Sequence, residues 1–393
     1  MISISRLLCD TVGPGDNLRY LHTSPEMLVT HTTHPDVPRP VVVWNCTKQC
    51  NLSCIHCYAS AGSKVTHEEM DTTQGKRLIG DLSNFGVPVI LFSGGEPLLR
   101  KDLFDLARCA VEQKIRVALS TNGTLINGEI ADALRDIGFD EVGISLDGIG
   151  EGNDRIRGKE GAFDNALQGI RNCMTRGIRV SLRLTITGYN HEEIPAIFRL
   201  VEDEGINRVC FYHLAYSGRG KSLREVDVTH VQARRAVDTI CELTRDLHKR
   251  GLPKEILTVG NHADGVYLYL KMYKEDRQRA QKILDLLKTN GGNNSGIRIG
   301  AIDELGNVHP DQFWQHYSLG NVNSREFGDI WADTSEPLLQ KLRDRKGLLK
   351  GRCGSCKYLS LCNGNLRIRA EAVYDDLWAD DPACYLTDEE IGS

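Results

Sequence analysis

Three cysteines near the start of the chain have a spacing that suits a metal cluster. Cys50, Cys54 and Cys57 form a C-x3-C-x2-C pattern. Three thiolates on one short loop can hold three irons of a cubane cluster, which leaves the fourth iron without a protein ligand. Zinc also accepts sulfur ligands. The spacing, the position directly after a predicted strand and the aromatic Tyr58 favour iron, and three merely buried cysteines would not need this spacing.

A second group of cysteines lies near the end of the chain. Cys353, Cys356 and Cys362 form a C-x2-C-x5-C pattern, and Cys384 follows 22 residues later. Four thiolates are a full ligand set for a second cubane cluster. On spacing alone, a structural zinc site of four cysteines is the alternative. The other six of the 13 cysteines are scattered and are predicted to be small buried residues: Cys9, Cys46, Cys109, Cys173, Cys210 and Cys241.

The composition is that of an ordinary soluble globular protein and excludes several other classes. The 393 residues, 40% hydrophobic and 26% charged, are enough for two or three domains. A net charge of −5 and only 6% aromatic residues argue against a nucleic-acid partner. The longest apolar run, residues 87–92, is too short to cross a membrane. The first nine residues are too short and too interrupted for a signal peptide. We therefore expect a cytoplasmic protein with no membrane or nucleic-acid partner.

Strand and helix patterns alternate through the first half of the chain, at spacings that suit consecutive βαβ units of roughly 30 residues. Such units predict a parallel sheet, either doubly wound or curled towards a barrel. In the first helix, Leu78, Leu82 and Phe85 recur on one face, and Gly86 is placed to end it. The predicted strands are 41–44, 87–92, 115–119, 142–146, 178–186 and 209–214, and the predicted helices are 71–85, 103–113, 130–137, 163–176 and 192–204.

The remaining segments divide the chain into four predicted parts. Residues 1–40 are predicted to be an irregular leader, with prolines at 14, 25, 35, 38 and 40. The alternating segment 41–220 is followed by a charged and mostly helical segment, 221–296, with helices over 231–248 and 267–287. Residues 297–393 begin with a short strand over 297–302 and a turn at Gly306-Asn307. They continue with a helix near 336–345 and end with the second group of cysteines.

The first cysteine group and the segments after the next three predicted strands resemble the radical S-adenosylmethionine (SAM) enzymes. These segments are residues 93–97 (SGGEP), 120–123 (STNG) and 143–148 (GISLDG), followed by Arg157. The resemblance implies a partial (β/α)6 TIM-like barrel and a [4Fe–4S] cluster whose open iron binds the amino and carboxylate groups of SAM. Glu96 would receive the amino group, the 120–123 segment would contact the ribose, and Ser145 with Arg157 would bind the carboxylate. The implied cofactor-binding set is Tyr58, Gly94, Gly95, Glu96, Ser120, Asn122, Ser145, Asp147 and Arg157.

The second cysteine group resembles the C-terminal extension of SPASM/twitch radical SAM enzymes, which carries one or two auxiliary clusters. The larger extensions have seven cysteines and hold two clusters. Since only four ligand cysteines are present here, the resemblance implies one auxiliary [4Fe–4S] cluster, and with the first site two clusters in all. An external electron donor such as ferredoxin or flavodoxin is the implied redox partner.

Four further segments are similar to the tetrapyrrole-modifying branch of the radical SAM family. They are residues 41–45 (VVVWN), 213–220 (HLAYSGRG), 306–311 (GNVHPD) and 362–365 (CNGN). One type of member removes the two acetate side chains of 12,18-didecarboxysiroheme in the siroheme-dependent haem pathway, which leaves methyls and gives iron-coproporphyrin III. Another type acts on the propionates of the same precursor in haem d1 biosynthesis. The first 20 residues look more like the acetate-removing type, and this is the expected activity.

A substrate with several carboxylates and an iron requires particular side chains. Arginines grip carboxylates, and histidines can reach the iron axially or donate a proton, although most single histidines are structural. The catalytic candidates are His213, His309, His316 and Arg219, and His262, Arg183, Arg298, Arg367 and Arg369 are further candidates for substrate contact.

Two other hypotheses about the function are compatible with the cysteine groups. A peptide-modifying or sulfatase-maturing radical SAM enzyme would share both cysteine groups, but it would usually carry a peptide-docking region or more auxiliary cysteines. A non-enzymatic zinc module would explain the last four cysteines but not the segments at the strand ends.

Overall fold

The computed structural model describes residues 1–20, 37–64 and 68–392, in which strands and helices alternate. The strands are β1 (Ile2–Ser3), β2 (Val41–Asn45), β3 (Val89–Ser93), β4 (Arg116–Thr121), β5 (Glu141–Ser145), β6 (Val180–Ile186), β7 (Arg208–His213), β8 (Glu255–Val259), β9 (Ile299–Ile302), β10 (Asn307–His309) and β11 (Gly320–Asn321).

The α-helices are α1 (Ile4–Cys9), α2 (Asp16–Arg19), α3 (Thr72–Phe85), α4 (Leu103–Glu112), α5 (Gly128–Ile137), α6 (Glu151–Arg157), α7 (Ala162–Met174), α8 (Ile194–Asp203), α9 (His230–Lys249), α10 (Ala263–Glu275), α11 (Arg277–Asn290), α12 (Phe327–Trp331), α13 (Pro337–Arg343), α14 (Gly351–Ser355), α15 (Leu359–Cys362), α16 (Arg367–Tyr374) and α17 (Asp388–Ile391). Short 3-10 helices cover Pro97–Leu99, His191–Glu193, Gly218–Val226 and Lys346–Leu348.

The described strands form one eleven-stranded sheet in the order β1-β8-β7-β6-β5-β4-β3-β2-β9-β10-β11. Strands β2 to β8 are parallel and adjacent in chain order, which is the arrangement of consecutive βαβ units. Because β1 and β11 end the sheet without pairing to each other, the barrel is partial. The predicted fold class is therefore confirmed, and the carboxyl ends of the parallel strands meet at one rim.

Helix α3 shows how the local sequence produces these elements. The side chain of Asp71 accepts a hydrogen bond from the backbone of Gln74 and forms a capping box with it, so the helix begins at the next residue. Gly86 ends the helix with a φ of 87°, a left-handed conformation that glycine adopts without strain. Leu78, Leu82 and Phe85 are buried on one face, as their spacing predicts. The buried apolar side chains of the central strands join those of the helices in one core.

The sheet extends beyond the predicted alternating segment at both ends. Strand β8 lies within residues predicted to be mostly helical, and it pairs in parallel with β7. The predicted helix over 267–287 is wrong as a single element, because Asp276 adopts an extended conformation between α10 and α11 and caps the second of them. The prediction of an irregular leader is also wrong for the first nine residues: β1 pairs with β8, and α1 follows directly. Pro25 and Pro35 lie outside the described residues.

The C-terminal part of the chain continues the same sheet. Strand β9 pairs in parallel with β2, and β10 folds back against it after the predicted Gly306-Asn307 turn. This places residues 310–320 beside the rim of the barrel. The division of the chain into four parts stays a prediction. None of the described helices is long and apolar enough to cross a membrane.

Candidate active site

A cavity opens at the carboxyl ends of the parallel strands. Parallel α/β folds build their sites at this rim because the loops there converge from several strands. The predicted site residues that line the cavity are Cys50, Cys54, Cys57, Tyr58, Gly94, Gly95, Ser120, Asn122, Ser145, Arg157, His213 and Arg219. The structure therefore brings the cysteine loop and the three strand-end segments together in one site.

The cysteine loop is held by the main chain of its neighbours. Its Ser53 and Ile55 amides donate to the last carbonyls of α6, at Arg157 and Ile156, over 3.2 and 3.0 Å. These bonds satisfy carbonyls that a helix end leaves unpaired. The Cys50 amide donates to the carbonyl of Gly62 over 2.7 Å, which closes the loop on its other side.

Arg219 also fastens this loop. Its Nε donates to the carbonyl of Cys54 and its Nη1 to the carbonyl of Ala61, each over 2.8 Å, and its amide donates to the carbonyl of Cys57. Its guanidinium therefore spans the loop from the cluster side to its far end. Among the interactions of the described residues, Arg219 is a positioning group for the cysteine loop, and its predicted contact with substrate stays a prediction.

The glycine pair after β3 lies against the start of the cysteine loop. A Cβ at Gly94 would lie 2.3 Å from the carbonyl oxygen of Thr47, and one at Gly95 would lie 2.2 Å from that of Gln49. The Gly95 amide donates to the Thr47 carbonyl over 2.7 Å. No side chain fits at either position, so the backbone itself borders the cavity here.

Glu96 is fully buried, and its carboxylate is engaged by other parts of the chain. One oxygen accepts hydrogen bonds from the Thr121 hydroxyl (2.8 Å) and the Leu98 amide (3.1 Å), and the other accepts from the Asn122 amide (2.8 Å). Glu96 does not line the cavity, so it joins the ends of β3 and β4 rather than presenting a free carboxylate. Its predicted contact with the amino group of a ligand stays a prediction.

Asp147, beyond the end of β5, forms a buried ionic cluster. Its Oδ2 lies 2.6 Å from Nη2 of Arg157 and 3.1 Å from Nε2 of His56, and its Oδ1 accepts from the Thr185 amide. Burial alone would raise the pKa of Asp147, but the Arg157 and His56 charges and these hydrogen bonds lower it to about 2. Asp147 itself does not line the cavity, whereas the arginine and the histidine that it orients both do.

The three thiols of the first group fit a metal cluster. Burial raises the pKa of Cys50 to about 11 and also raises the pKa of Cys54. A soft metal centre deprotonates such thiols. Arg157 Nη1 lies 3.7 Å from the Cys54 sulfur and Asn122 Nδ2 lies 4.0 Å from the Cys50 sulfur, so hydrogen-bond donors already face the thiolates.

An aromatic pair closes the cavity towards the C-terminal part of the chain. Tyr58 donates to Asn45 Oδ1 over 3.0 Å, and its ring meets that of Phe313 edge to face at 5.4 Å. Phe313 is fixed in turn by Ser217, whose hydroxyl donates to its carbonyl over 2.6 Å. The segment after β10 therefore covers one side of the barrel mouth.

The other predicted histidines lie away from the cavity. His309 is buried between the Tyr317 carbonyl (2.7 Å) and Asp303 (3.3 Å). His316 is about half exposed and pairs with Glu371. Nε2 of His262 lies 2.9 Å from the amino group of Met1, and burial lowers its pKa well below the usual value. None of these three lines the cavity. Of the predicted histidines, His213 is therefore the one that the geometry favours for contact with a substrate.

The four C-terminal cysteines border a second cavity. Arg352, Asn365 and Asp381 border it as well. Partial burial raises the pKa of Cys384 to about 12 and raises those of the other three thiols, so this is a second set of partly buried sulfur donors. Within the described part of the chain, no three His, Cys, Asp or Glu side chains are grouped around a point that would hold a single metal ion.

Comparison with known proteins decides the family. The Radical SAM superfamily model matches residues 44–201. The Fe-coproporphyrin III synthase of Methanosarcina barkeri (strain Fusaro) is 54% identical over 395 residues, which cover 100% of this chain and 99% of that protein. The chain belongs to the radical SAM superfamily. The pre-heme d1 synthase of Dinoroseobacter shibae is 44% identical and covers 92% of this chain and 91% of its own length.

Two solved structures have the same fold as this radical SAM enzyme. SuiB of Streptococcus suis bound to the precursor peptide SuiA has a TM-score of 0.70 over 89% of this chain and 76% of its own. The anSMEcpe enzyme with bound AdoMet and a peptide has a TM-score of 0.68 over 88% and 94%. Both are 18% identical to this radical SAM chain, so they support the fold.

Several residues that line the radical SAM cavity were not singled out by sequence. His56 lies inside the cysteine motif, which is a signal that could have found it. Gln312, Phe313 and Tyr212 carry no local signal, because strand and loop packing alone brings them to the rim. Arg183, an arginine candidate, does line the cavity, since Gly143 on the neighbouring strand leaves room for its guanidinium.

Proposed function

We propose that this radical SAM enzyme removes the two acetate side chains of 12,18-didecarboxysiroheme to give iron-coproporphyrin III. The full-length identity of 54% to a Fe-coproporphyrin III synthase carries the proposal. The match spans the whole chain, so it extends at both ends beyond residues 44–201, which the superfamily model covers. The cavity supports the proposal, since it joins the cysteine loop to a basic side chain, Arg183, that can bind a substrate carboxylate.

Cys50, Cys54 and Cys57 would hold a [4Fe–4S] cluster, and SAM would bind between the Gly94-Gly95 backbone and Arg157. When bound, the reduced cluster and SAM together supply a 5′-deoxyadenosyl radical that can abstract hydrogen from an unactivated carbon. The guanidinium of Arg157, which Asp147 holds in position, would bind the carboxylate of SAM. Ser120 and Asn122 offer polar groups at the end of β4. Tyr58 and Phe313 exclude water from the same side.

Cys353, Cys356, Cys362 and Cys384 would hold one auxiliary [4Fe–4S] cluster. Their position at a cavity of their own, lined by all four thiols, supports a shared group. An external donor such as ferredoxin or flavodoxin would reduce the protein. Metal analysis tests this part: iron and sulfide near eight each per chain are expected for two cubanes, whereas zinc would contradict it.

Anaerobic incubation of the reconstituted protein with SAM, a reductant and 12,18-didecarboxysiroheme tests the activity. The expected result is SAM-dependent formation of iron-coproporphyrin III, identified by product mass. The control omits SAM, and a second control uses the triple variant of Cys50, Cys54 and Cys57. Unchanged tetrapyrrole beside efficient 5′-deoxyadenosine formation would contradict the proposed substrate.

Removal of propionates from the same precursor is the second candidate function. The 44% identity to a pre-heme d1 synthase over 92% of the chain is the observation that favours it. The same experiment separates the two, because a product that lost propionate arms differs in mass from one that lost acetate arms.

A further inference from the structure

His213 is the predicted histidine whose ring borders the active-site cavity, and it has one free nitrogen there. It ends β7 and is 6% exposed. Its Nε2 lies 2.9 Å from Oδ2 of Asp264, and within the described chain its Nδ1 has no hydrogen-bond partner. His56 also borders the cavity, but its Nδ1 is fully buried, so it presents no free nitrogen to a ligand.

Asp264 fixes both the orientation and the tautomer of this ring. It is fully buried in the first turn of α10, and its second oxygen accepts a hydrogen bond from the Tyr385 hydroxyl over 2.7 Å. A carboxylate only accepts hydrogen bonds, so Nε2 of His213 is the protonated nitrogen. In the neutral imidazole the lone pair therefore lies on Nδ1. A histidine that donates one ring N–H to a carboxylate and keeps the other nitrogen free is the usual form of a metal ligand.

The main chain around His213 is held by a second buried pair. Arg369 and Asp381 are both fully buried, with 2.7 Å between Nη2 and Oδ2. The same guanidinium donates to the carbonyls of Leu214 and Gly260, at the ends of β7 and β8. These bonds fix the distance between the strand that carries the histidine and the helix that carries Asp264. The ring is thus preorganised by contacts that lie outside the cavity.

We propose that His213 is the axial ligand of the substrate iron, bound through Nδ1, and that Asp264 is its positioning residue. The inference rests on the proposed function, since it takes an iron tetrapyrrole as the occupant of the cavity. A ligand on the β7 side would orient the macrocycle relative to the cysteine loop, which lies across the same cavity. In this tautomer of the neutral ring, Nδ1 presents a lone pair, which is what a metal ligand needs.

Spectroscopy of a bound iron tetrapyrrole tests this without turnover. Ferric coproporphyrin III, the proposed product, is added to the holoenzyme with both clusters in their diamagnetic oxidised state. With protein labelled with ¹⁵N-histidine, the wild type is expected to show a ¹⁵N hyperfine coupling to the ferric centre. His213→Ala is expected to lose that coupling, and added ¹⁵N-labelled imidazole is expected to restore it. His248→Ala, an exposed histidine at the end of α9, is the matched control and is expected to behave as wild type.

Asp264→Asn separates positioning from direct ligation. It is expected to keep the coupling but to weaken tetrapyrrole binding by on the order of tenfold, as loss of a ligand's carboxylate partner usually does. No ¹⁵N coupling in a wild-type protein that binds the tetrapyrrole would overturn the ligand assignment and leave the proposed function intact. An unaltered coupling in His213→Ala would do the same. Failure of the wild type to bind the tetrapyrrole at all would overturn the ligand assignment together with the proposed substrate.

Discussion

Asp147 and Arg157 form a buried ion pair, with 2.6 Å between Oδ2 and Nη2, at the edge of the cysteine loop. The other terminal nitrogen of Arg157 lies 3.7 Å from the Cys54 sulfur. One guanidinium therefore links the end of β5, helix α6 and the first cysteine group. A single buried carboxylate sets the position of the group that we expect to meet the SAM carboxylate.

Replacement of that carboxylate tests the link. Asp147→Asn leaves Arg157 as an uncompensated buried charge, which typically costs about 3 kcal/mol or more of folding free energy. We expect a clearly lower thermal midpoint and at least a tenfold weaker binding of SAM, measured by equilibrium dialysis under anaerobic conditions. Asp132→Asn, which breaks an exposed ion pair with Arg176, is the control. It is expected to change the thermal midpoint and the SAM affinity little. Unchanged SAM binding in a folded Asp147→Asn protein would contradict the role of the pair.

The first cysteine group is tested by its removal. With Cys50, Cys54 and Cys57 all replaced by Ala, iron and sulfide are expected to fall from about eight to about four per chain. SAM cleavage, measured as 5′-deoxyadenosine, is expected to disappear, since the ligands of the open iron are gone. The C-terminal cluster should remain visible in the absorption spectrum. Residual 5′-deoxyadenosine formation by this variant would overturn the assignment of the site.

Two glycines near the cysteine loop form a matched pair for a steric test. A Cβ at Gly95 would lie 2.2 Å from a main-chain carbonyl oxygen, whereas one at Gly62 would have nothing within 4 Å. Gly95→Ala must displace backbone, so we expect a protein with a lower thermal midpoint that no longer binds SAM. Gly62→Ala is expected to retain the wild-type midpoint and SAM affinity. Equal behaviour of the two variants would show that the close approach is not required.

Arg219 allows the loop to be loosened without touching its cysteines. Arg219→Ala removes the two guanidinium bonds to the carbonyls of Cys54 and Ala61. The expected result is a folded protein that loses its first cluster to a chelator several times faster than the wild type does. The rate is measured from the release of iron. Arg108→Ala, at an exposed arginine on α4, is the control. A chelation rate equal to that of the wild type would argue that Arg219 serves the substrate instead.

Cys384→Ala tests the function of the second cysteine group. When a substrate radical loses an acetate arm, one electron and one proton must still be transferred before the product is closed-shell. A second cluster is a suitable relay, since such clusters cover potentials from about −700 to +450 mV. We expect SAM cleavage to persist while product formation collapses in folded protein. Product formation at the wild-type rate, with the auxiliary cluster shown by Mössbauer spectroscopy to be absent, would leave the cluster a structural role only.

Local patterns in the sequence predicted the strands β2 to β7, five of the six α-helices between them and the two cysteine groups, but not the short helix α6. These features depend on neighbours in the chain: alternation of apolar runs, a capping residue before a helix, or three thiols on one loop. Strand β8 and the break between α10 and α11 at Asp276 were not predicted, because the local sequence signals there are weak. The strand is only five residues long, and the helix pattern continues across the break.

The sequence by itself determined which residues can bind a cluster and which strand ends carry polar groups, because residue type and spacing fix that chemistry. Only the tertiary structure decided how those groups are used. In the folded chain, the side chains of Glu96 and Arg219 form hydrogen bonds with main-chain groups. His309 and His316 lie outside the cavity. The tertiary structure also brought Asp264 to His213 from 51 residues away. Such contacts depend on how the sheet curves and where the C-terminal strands join it, and no local spacing encodes that geometry.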